Sequence, residues 1–487
     1  GTITNNGTFT ATTGLVTFEG TANVSGTIIF NKVTLVGGGV NFGSSSTIGS
    51  GGYLLINASG FVDVNSPSYH SNATLIYDNG AFGRRVEWST SSGNGYPSNV
   101  QIGNGNLTSL DLSANGGVNA ARECSGNLVV STNSTLTLNN MTQALTIKGK
   151  YTNNGTTILS TAIGGDLKLE GDMDDNGTFT ANTRAIFFQG AANQTINSTT
   201  NPLDIDVMRI GKTGGEVILS QNLLVDETND PIQFTTAQSV LNLNGKTATF
   251  GKANAVSTIT MNASSKIKGS STSSLTILGT DAFGTLYFDQ TTPGTTNALS
   301  NFNINRTGTG SVTVATPLTV NTSLTIGSAT TLNNGVLDIK GTITDNRTTK
   351  TYTGTIQYSG TDQTIVAATY NNLSLLNAGT KTFGGSTTIS GNFVVTTATV
   401  PAPSLLTFNG NSAQDIAGLT FNNLSFSGSG AKTFTSNASV SATATVSFAG
   451  SGATVDFDGA SNNLVFELKS DASGTASIGN ASNWTLN

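Results

Sequence analysis

Cysteine, proline and charged residues are all scarce in this chain of 487 residues. The single cysteine, Cys124, cannot form an internal disulfide, so a disulfide-stapled scaffold is excluded. Lys and Arg number 21 against 27 Asp and Glu, and the net charge of −6 argues against nucleic acid as a partner, because phosphate contacts need clustered basic residues. No apolar run reaches the roughly 18 residues of a membrane-spanning helix, so no membrane span is expected.

Glycine is abundant, with 58 residues, and Thr, Ser and Asn fill most of the polar positions. The β-branched residues Thr and Val favour strands, whereas the helix-favouring residues Glu, Lys, Arg and Met are rare. Because 36% of the residues are hydrophobic, the chain can still bury a core. These features predict an all-β fold made of many short strands that are separated by polar turns.

A short sequence pattern recurs after 22 residues. Residues 147–156 align with residues 169–178: apolar positions match, both glycines coincide, and an Asn-Gly-Thr step falls at the same place. A repeat in the range of roughly 20 to 50 residues is typical of solenoids and other arrays, and this one suits a single coil of a β-solenoid. We therefore predict that parallel strands of adjacent coils stack Ile147, Gly149, Tyr151 and Asn154 on Leu169, Gly171, Met173 and Asn176.

A longer unit of about 50 residues overlies the first repeat and is interpreted as two coils plus an insertion. Residues 358–383 and 408–434 both contain aromatic-x-Gly, Gln-x-Ile, aromatic-Asn-Asn-Leu and Gly-x-Lys-Thr-Phe. Each coil exposes backbone groups on both edges, so it needs a neighbour above and below. We expect apolar residues inside, Gly and Asn at corners where φ is positive, and inward Asn or Gln stacked as ladders.

Together the repeats predict a right-handed parallel β-helix, or a closely related β-solenoid, with coils of about 22 residues. No linker or break in composition divides the chain. A single continuous solenoid is therefore expected over residues 1–487, with irregular loops near residues 70–125 and 200–235.

Several of these motifs resemble the repeats of large, adhesin-like surface proteins of Bacteroidota that the type IX secretion system exports. The resemblance rests on the Asn-Gly-Thr-Phe-Thr-Ala opening (residues 6–13 and 176–183) and on the Gln-x-Ile to Gly-x-Lys-Thr-Phe body. Residues 74–88 and 468–476 are similar to segments that occur in the same proteins. The resemblance covers most of the chain and implies secretion and a role at the cell surface rather than a reaction.

One stretch matches the first half of a calcium-binding loop, Asp-x-Asp-x-Asn-Gly. Its ligands would be Asp172, Asp174 and Asn176, but the twelfth position, where a bidentate acid is expected, is Thr183. The same stretch is also a corner of the 22-residue repeat, which residues 153–155 form without acids. A plain turn and a calcium site both fit, and calcium is the one cofactor that the sequence suggests.

Acidic residues could also indicate an enzyme, because many β-helices cleave polysaccharides with clustered carboxylates. Asp204 and Asp206, two positions apart, would share a strand face, and Asp226, Glu227 and Asp230 form a second group. No basic or aromatic residues cluster with them as sugar subsites. We therefore assign no catalytic residue, and an enzyme is not expected.

The segment from His70 to Cys124 holds the chain's one histidine and one cysteine, which could in principle form a nucleophilic pair. No flanking sequence resembles a known nucleophile motif, so a buried Cys124 and an incidental exposed His70 are expected. Arg84, Arg85 and Glu87 in the same segment could mark a lateral contact or an insertion.

The sequence favours a secreted structural or adhesive rod or fibre at the cell surface, which acts by display and repeated weak contacts. Its expected partners are surface polysaccharide or other cell-surface proteins. One alternative is a self-assembling extracellular filament subunit that associates head to tail through residues 1–13 and 476–487, which no Lys, Pro or helix protects. Another is a carbohydrate-binding or carbohydrate-cleaving β-helix, which the wide separation of Trp88 and Trp484 makes less favourable.

Overall fold

A computed structural model describes residues 1–89, 92–115, 117–308, 310–448 and 455–456. Within these ranges the chain consists of parallel strands and turns, so the predicted all-β solenoid is confirmed. The same ranges contain no helix that could cross a lipid bilayer. Residues 468–476 and the predicted terminal edge at residues 476–487, including Trp484, lie outside the described residues.

The chain divides into two compact units. The first comprises Gly1–Ala248 with Asn262–Ser265, and the second comprises Thr249–Met261 with Lys266–Asn487. Each unit is built from coils whose strands pair in parallel with those of the next coil. The single continuous solenoid over residues 1–487 and its right-handed sense stay predictions.

The strands of the first unit are short, and most have three to six residues. Their bounds are β1 (Thr2–Thr10), β2 (Leu15–Phe18), β3 (Ala22–Val36), β4 (Gly39–Asn41), β5 (Ser46–Asn57), β6 (Phe61–Val62), β7 (Ser68–Tyr69), β8 (Thr74–Asp78), β9 (Gly80–Gly83), β10 (Asn99–Ile102), β11 (Thr108–Asp111), β12 (Arg122–Cys124), β13 (Leu128–Val130), β14 (Ser134–Thr137), β15 (Leu145–Ile147), β16 (Tyr151–Asn153), β17 (Thr156–Ile158), β18 (Leu167–Leu169), β19 (Met173–Asp175), β20 (Thr178–Thr180), β21 (Ala185–Gly190), β22 (Gln194–Ser198), β23 (Leu203–Ile205), β24 (Val207–Lys212), β25 (Val217–Leu219), β26 (Leu223–Val225), β27 (Asn229–Phe234) and β28 (Val240–Asn242).

Three parallel ladders run through the first unit, because a typical coil contributes one strand to each. The first runs from β5 through β8, β10, β13, β16, β19, β22 and β25 to β28. The second joins β9, β11, β14, β17 and β20. The third joins β12, β15, β18, β21, β24 and β27.

The remaining strands follow the same plan of short parallel segments. They are β29 (Thr247–Phe250), β30 (Ser257–Thr260), β31 (Lys266–Lys268), β32 (Ser274–Gly279), β33 (Gly284–Leu286), β34 (Ala298–Arg306), β35 (Ser311–Val314), β36 (Leu318–Ile326), β37 (Thr331–Asn334), β38 (Val336–Ile339), β39 (Thr342–Asp345), β40 (Thr351–Tyr358), β41 (Gln363–Ile365), β42 (Thr369–Leu375), β43 (Lys381–Phe383), β44 (Thr387–Ile389), β45 (Phe393–Val395), β46 (Leu406–Phe408), β47 (Gln414–Ile416), β48 (Thr420–Phe426), β49 (Lys432–Phe434), β50 (Ser439–Phe448) and β51 (Val455–Asp456).

The predicted 22-residue register is confirmed. Ile147 pairs with Leu169 between β15 and β18, and Tyr151 pairs with Met173 between β16 and β19. At the following corner the Asn176 amide donates to the Asn154 side-chain oxygen at 3.1 Å. Adjacent coils therefore superpose the two copies of the sequence pattern residue by residue.

The aligned glycines of the repeat are explained by the close approach of adjacent coils. A Cβ atom on Gly171 would overlap the backbone carbonyl of Gly149, and one on Gly177 would overlap that of Gly155. Any larger residue would therefore push the two coils apart at these corners, so the register of the repeat depends on glycine here.

The coils between β42 and β46 are shorter than those of the repeat from which the fold was predicted, although other coils of the second unit are as long or longer. Thr369 pairs with Thr388, and Thr388 pairs with Thr407, a step of 19 residues each. Because the strands stay in register, the shortening is taken up in the turns that connect them.

Alternation along each strand separates the core from the surface. In β15, Leu145 and Ile147 are fully buried, whereas Thr146 between them faces outward. Asparagine takes many corners with positive φ, such as Asn139 and Asn244. Asparagine ladders also form, but they lie at the surface rather than inside, as in the column Asn23, Asn41 and Asn65.

Both predicted loop regions contain five strands. Residues 70–125 hold β8 to β12, and within this range residues 84–98, between β9 and β10, form no strand in the described part of the chain, so the irregular segment is shorter than predicted. Residues 200–235 hold β23 to β27, so the irregular loop predicted there is wrong. The Asp, Thr and Asn residues that suggested a loop take outward positions and tight turns between short strands.

The inward position of Ile147 gives a direct test of the register. Ile147→Asp should lower the free energy of unfolding by at least about 3 kcal/mol, because it places a carboxylate without a partner in the core. Urea denaturation measures the change. The matched control, Thr146→Asp, puts the same charge on the outward side of the same strand and should cost less than about 1 kcal/mol. Equal losses in the two variants would contradict the facing assignment.

Candidate functional site

The three residues of the calcium motif each contact the neighbouring coils. The Asp172 carboxylate accepts a hydrogen bond from the Thr195 backbone N–H at 2.8 Å, and Asp174 forms an ion pair with Lys150. The Asn176 side chain takes part in the asparagine pair described above. These contacts give all three side chains a structural role at the corner, and the calcium site stays a prediction.

A second acidic group comes together around the predicted pair Asp204 and Asp206. Asp226 joins them, and carboxylate oxygens of the three residues lie within 4.8 Å of one another. Asp226 belongs to this cluster because it follows β26, whose Leu224 pairs directly with Asp204. The other two acids that the sequence grouped with Asp226 point elsewhere. Glu227 accepts from the Thr228 N–H at 2.8 Å, and Asp230 lies 3.6 Å from Arg209.

The three carboxylates supply oxygen ligands of the kind that hard cations such as calcium prefer. One of their oxygens is already engaged, because Asp206 accepts a hydrogen bond from the Thr183 N–H at 2.7 Å. Asp204 is exposed, and acidic groups on protein surfaces come together without a metal as well. The cluster therefore carries no metal assignment by itself.

Several polar residues between Tyr77 and Glu123 lie inside the coil, whereas Arg85 is exposed, with its guanidinium 4.1 Å from the centroid of the Phe61 ring. Glu87 is 1% exposed, and its Oε1 accepts hydrogen bonds from the Tyr77 hydroxyl and the Arg85 N–H, each at 2.7 Å. Burial raises the pKa of the Glu87 carboxyl and outweighs the hydrogen bonds that lower it. Trp88 is fully buried, and its indole N–H donates to the Glu123 carbonyl at 2.8 Å.

Two arginines share this interior. Arg84 donates from Nη1 to the carbonyl of Arg85 at 2.7 Å, and Arg122 donates to the carbonyl of Ala121 at 2.5 Å. Burial, together with the nearby charge of Arg84, lowers the pKa of Arg122 to about 10. Backbone oxygens therefore replace part of the hydration of both guanidinium groups. Arg84 and Arg122 belong to a polar part of the core and are not available to a partner at the surface, whereas Arg85 is exposed.

Cys124 and His70 occupy unrelated environments. Cys124 is fully buried, its thiol contacts the carbonyl of Gly126 at 3.5 Å, and burial raises its pKa to about 12. A thiol with that pKa is not a nucleophile at neutral pH. His70 is exposed, and its Nδ1 lies 3.0 Å from the Ser71 hydroxyl. The expectation of a buried cysteine and an exposed histidine is confirmed.

Buried glutamines recur at one position of the longer repeat. Gln414 donates from Nε2 to the carbonyls of Ile389 and Gly391 at 3.0 and 2.6 Å, and its Oε1 accepts the N–H of Gly410. Gln194 and Gln363 make the equivalent pair of bonds to the preceding coil. Each glutamine thus binds the backbone of the coil below it and does not stack on another side-chain amide.

A buried lysine lies 18 positions after each of these glutamines. Lys432 is fully buried, and its ammonium donates to the carbonyls of Gly410 and Gly430 at 2.8 and 2.6 Å. Lys381 does the same with Gly360 and Thr361 at 2.6 and 2.5 Å. In both copies the lysine pairs in register with the glutamine of the preceding coil.

Lys212, the third buried lysine, makes more hydrogen bonds than the other two. Lys212 donates to the carbonyls of Gln189 and Ala192 at 3.1 and 2.6 Å, and to Oε1 of Gln194 at 2.7 Å. Burial lowers the pKa of Lys212 to about 8 and also lowers the pKa of the other two lysines. Three oxygen acceptors keep this ammonium charged at neutral pH without a carboxylate in contact.

The recurring Gln and Lys were visible in the sequence, but their role was not predicted. The sequence aligned Gln-x-Ile and Gly-x-Lys-Thr-Phe in successive copies, and a charged residue at a fixed repeat position is unusual in a chain with so few charges. The alternation of inward and outward side chains along a strand could have been used to predict this role. In Lys-Thr-Phe the threonine faces outward and the phenylalanine faces largely inward, so the lysine two positions before the phenylalanine should face inward as well. That spacing places it on the inner face of the strand.

Comparison of the chain with protein-family models, with curated proteins and with solved structures finds no match.

The depressed pKa of Lys212 predicts a pH dependence of stability. Unfolded lysine releases its proton near pH 10.4, whereas the folded protein releases this one near pH 8. Between these values the unfolded chain binds the extra proton, so the free energy of unfolding should rise with pH, by up to about 3 kcal/mol. Lys212→Met lacks this contribution.

Urea denaturation at about pH 7.5 and about pH 10 measures the effect as the difference between wild type and Lys212→Met, which cancels the other titrating groups. The free energy of unfolding of the wild type minus that of Lys212→Met should be larger at about pH 10 than at about pH 7.5. Lys252→Met, which alters an exposed lysine, should show a constant difference. A constant difference for Lys212→Met as well would contradict the assignment.

Proposed function

We propose that this protein is a secreted structural and adhesive component of the cell surface, which acts by display and by many repeated contacts. The proposal rests on a difference between the polar side chains inside the coils and those on their surface. Buried Lys, Arg, Glu and Cys side chains are engaged with the protein's own backbone. What the coils present outward are rows of Thr, Ser and Asn, as in the column Ser109, Thr135, Thr156 and Thr178.

Neutral rows of this kind favour an uncharged, repetitive partner. A hydroxyl or amide side chain both donates and accepts hydrogen bonds, as do the hydroxyls of a polysaccharide. One such bond contributes about 1 kcal/mol, so a useful affinity requires many of them acting together. Stacked coils repeat the same group at each step, which supports surface polysaccharide or another repetitive cell-surface component as the partner. Secretion and a location at the cell surface follow from the resemblance to Bacteroidota surface proteins and are part of the proposal.

Retention on insoluble neutral polysaccharide tests the adhesive function. The purified protein should bind the polysaccharide particles and remain bound in about 1 M salt, because contacts between uncharged groups are not screened. Short soluble fragments of the same polysaccharide should compete poorly, since each covers only a few coils. The measurement is the bound fraction by depletion, with antibody labelling of intact source cells as the test of localisation. Elution by salt, or an absence of both retention and surface labelling, would reject the proposal.

A filament subunit is the second candidate, and the edge of β1 favours it. Within the described residues β1 pairs with β3 alone, so its other edge is unpaired. Ile3 and Phe9 stand in register with the buried Val24 and Ile28, yet they are 37% and 51% exposed. This edge therefore offers both backbone groups and an apolar column to a further parallel coil, either of a second copy or of a preceding segment.

Light scattering at increasing protein concentration tests self-assembly through this edge. If the edge binds a second copy, the wild type should form assemblies that Phe9→Lys disperses, because a charge then replaces an apolar contact. Thr8→Lys adds the same charge at the neighbouring outward position and should leave the assemblies intact. A wild type that stays monomeric at high concentration would reject the filament.

The carbohydrate-cleaving alternative now rests on the cluster of Asp204, Asp206 and Asp226. Paired carboxylates at short separation are the requirement for glycoside hydrolysis. The polysaccharide experiment distinguishes this candidate as well, because release of reducing ends during incubation would favour cleavage over adhesion. Asp206→Asn would then have to abolish that release while the folded protein stays bound.

A further inference from the structure

Six side-chain hydroxyls stand in one line across consecutive coils of the second unit. Successive strands pair Thr351 with Thr369, Thr369 with Thr388, and so on through β46 to β50 without a gap. All six are exposed or half-exposed on the outer face of the ladder. We call these residues the hydroxyl row: Thr351, Thr369, Thr388, Thr407, Ser425 and Ser447.

The hydroxyl row is unpaired within the protein. Among the described residues, none of its six side chains donates or accepts a hydrogen bond to another protein group. In another outward column of the same unit, the polar side chains of successive coils form hydrogen bonds with one another. The amide of Asn301 donates to Ser274 at 3.2 Å and its oxygen accepts from Ser323 at 2.8 Å. The hydroxyl row therefore keeps its hydrogen-bonding capacity for something outside the protein.

A second line of uncharged groups runs beside the first, two positions later along the chain, within β40 and β42 and directly after β44, β46 and β48. Its members are also exposed or half-exposed, although the side-chain oxygen of Asn409 is buried, and two are fixed by the backbone. The Asn371 amide donates to the Thr353 carbonyl at 3.1 Å, and the Ser390 hydroxyl donates to the Tyr370 carbonyl at 3.2 Å. We call these residues the companion row: Thr353, Asn371, Ser390, Asn409 and Ser427.

The residue between the two rows is in every coil a large, fully buried side chain. Tyr352 and Tyr370 stack with ring centroids 5.1 Å apart, and Phe408 and Phe426 stack at 6.1 Å. Ile389 fills the coil between the two pairs and is also fully buried. Packing of this kind fixes the backbone, so both rows are held in place before any partner arrives.

The spacing of the two rows is set by strand geometry. Neighbours along a row are one strand apart, about 4.7–4.9 Å, and the rows are two residues apart, about 6.4–6.8 Å. The distance along a row is close to a repeat between water positions in the ice lattice. Hydroxyl and amide groups can each donate and accept, so each can take the place of a lattice water. Neither row contains a charged residue, which would reorganise that water, or an aromatic residue, which a sugar-stacking platform would use.

We propose that the hydroxyl row and the companion row form an ice-binding face, on which regularly spaced hydroxyl and amide groups order water in the pattern of the ice surface. This activity goes beyond adhesion to a polysaccharide or a cell, because its partner is frozen water itself. The contact is reversible hydrogen bonding with no chemical step.

Partition of the full-length protein into a slowly growing polycrystalline ice mass tests the proposal, with growth of ice grains in a frozen film as a second measurement. Wild type should be enriched severalfold in the ice over a non-binding protein of similar size, and it should slow grain growth. Thr388→Lys/Thr407→Lys should lower the enrichment to the level of the non-binding protein, because two charges in the centre of the hydroxyl row disrupt the ordered water.

The matched control is Thr364→Lys/Thr382→Lys. These two threonines are exposed, pair with each other between β41 and β43, and lie outside both rows, so this variant should keep the enrichment of the wild type. Circular dichroism and thermal melting check that each variant is folded. If the first variant unfolds, Thr388→Tyr replaces it, since tyrosine favours strands but projects beyond the plane of the face.

Three results would overturn the ice-binding face. The first is exclusion of the wild type from ice to the same extent as the non-binding protein. The second is an equal loss in the Thr364→Lys/Thr382→Lys variant, which would place the activity elsewhere. The third is retention on cellulose particles, abolished by Thr388→Lys/Thr407→Lys, with no enrichment in ice, which would assign the face to a polysaccharide.

Discussion

Every coil of this protein depends on its neighbours for the hydrogen bonds of its backbone. Strands of three residues, such as β15, bury two side chains each and cannot form a stable sheet within their own coil. Their N–H and C=O groups are satisfied only when the next coil lies in parallel register. The glycine corners follow from this requirement. Gly171 and Gly177 allow the backbones to come close enough for the ladders on both sides to remain intact.

The same requirement explains how the core holds positive charges. At the turns between strands, some carbonyl groups point inward toward buried side chains. In three repeats a buried lysine ammonium, such as that of Lys432, donates hydrogen bonds to two such oxygens. Arg306 in β34 is held similarly, with carbonyls of Ser257 and Asp281 as acceptors at 3.1 and 2.6 Å. These hydrogen bonds to backbone oxygens partly replace the hydration that the buried cations lose.

The sequence predicted the architecture well because the constraint is periodic. The pairing of Ile147 with Leu169 could be read directly from two aligned stretches, since identical environments select similar residues. The interior around Glu87 and Arg122 could not, because it has no second copy in the chain with which to compare it. The strands within residues 200–235 were missed for another reason. Outward Asp and Asn residues there, such as Asp204, look like loop residues when the inward apolar positions are only two or three per strand.

The candidate sites could likewise be predicted from the sequence only in part. The acidic pair Asp204 and Asp206 was predicted from alternation within one strand, but Asp226 joins it through pairing with the next coil, which no local pattern reveals. The hydroxyl row is likewise invisible along the chain, because its members are separated by steps that vary from 18 to 22 residues. Only the register between coils brings them into line.

The 22-residue register between residues 147–156 and 169–178 also has a consequence for inheritance. In the ladders of a solenoid a coil contacts chiefly the coils directly before and after it, so a duplicated or deleted coil leaves the remaining interfaces unchanged. A gene that gains or loses 66 bases in this region, three for each of the 22 residues of a coil, would encode a chain whose strands still pair in register. A change of one codon would instead turn the inward side chains of a short strand outward. Recombination between such repeats would therefore change the length of the chain in whole coils while the fold is kept.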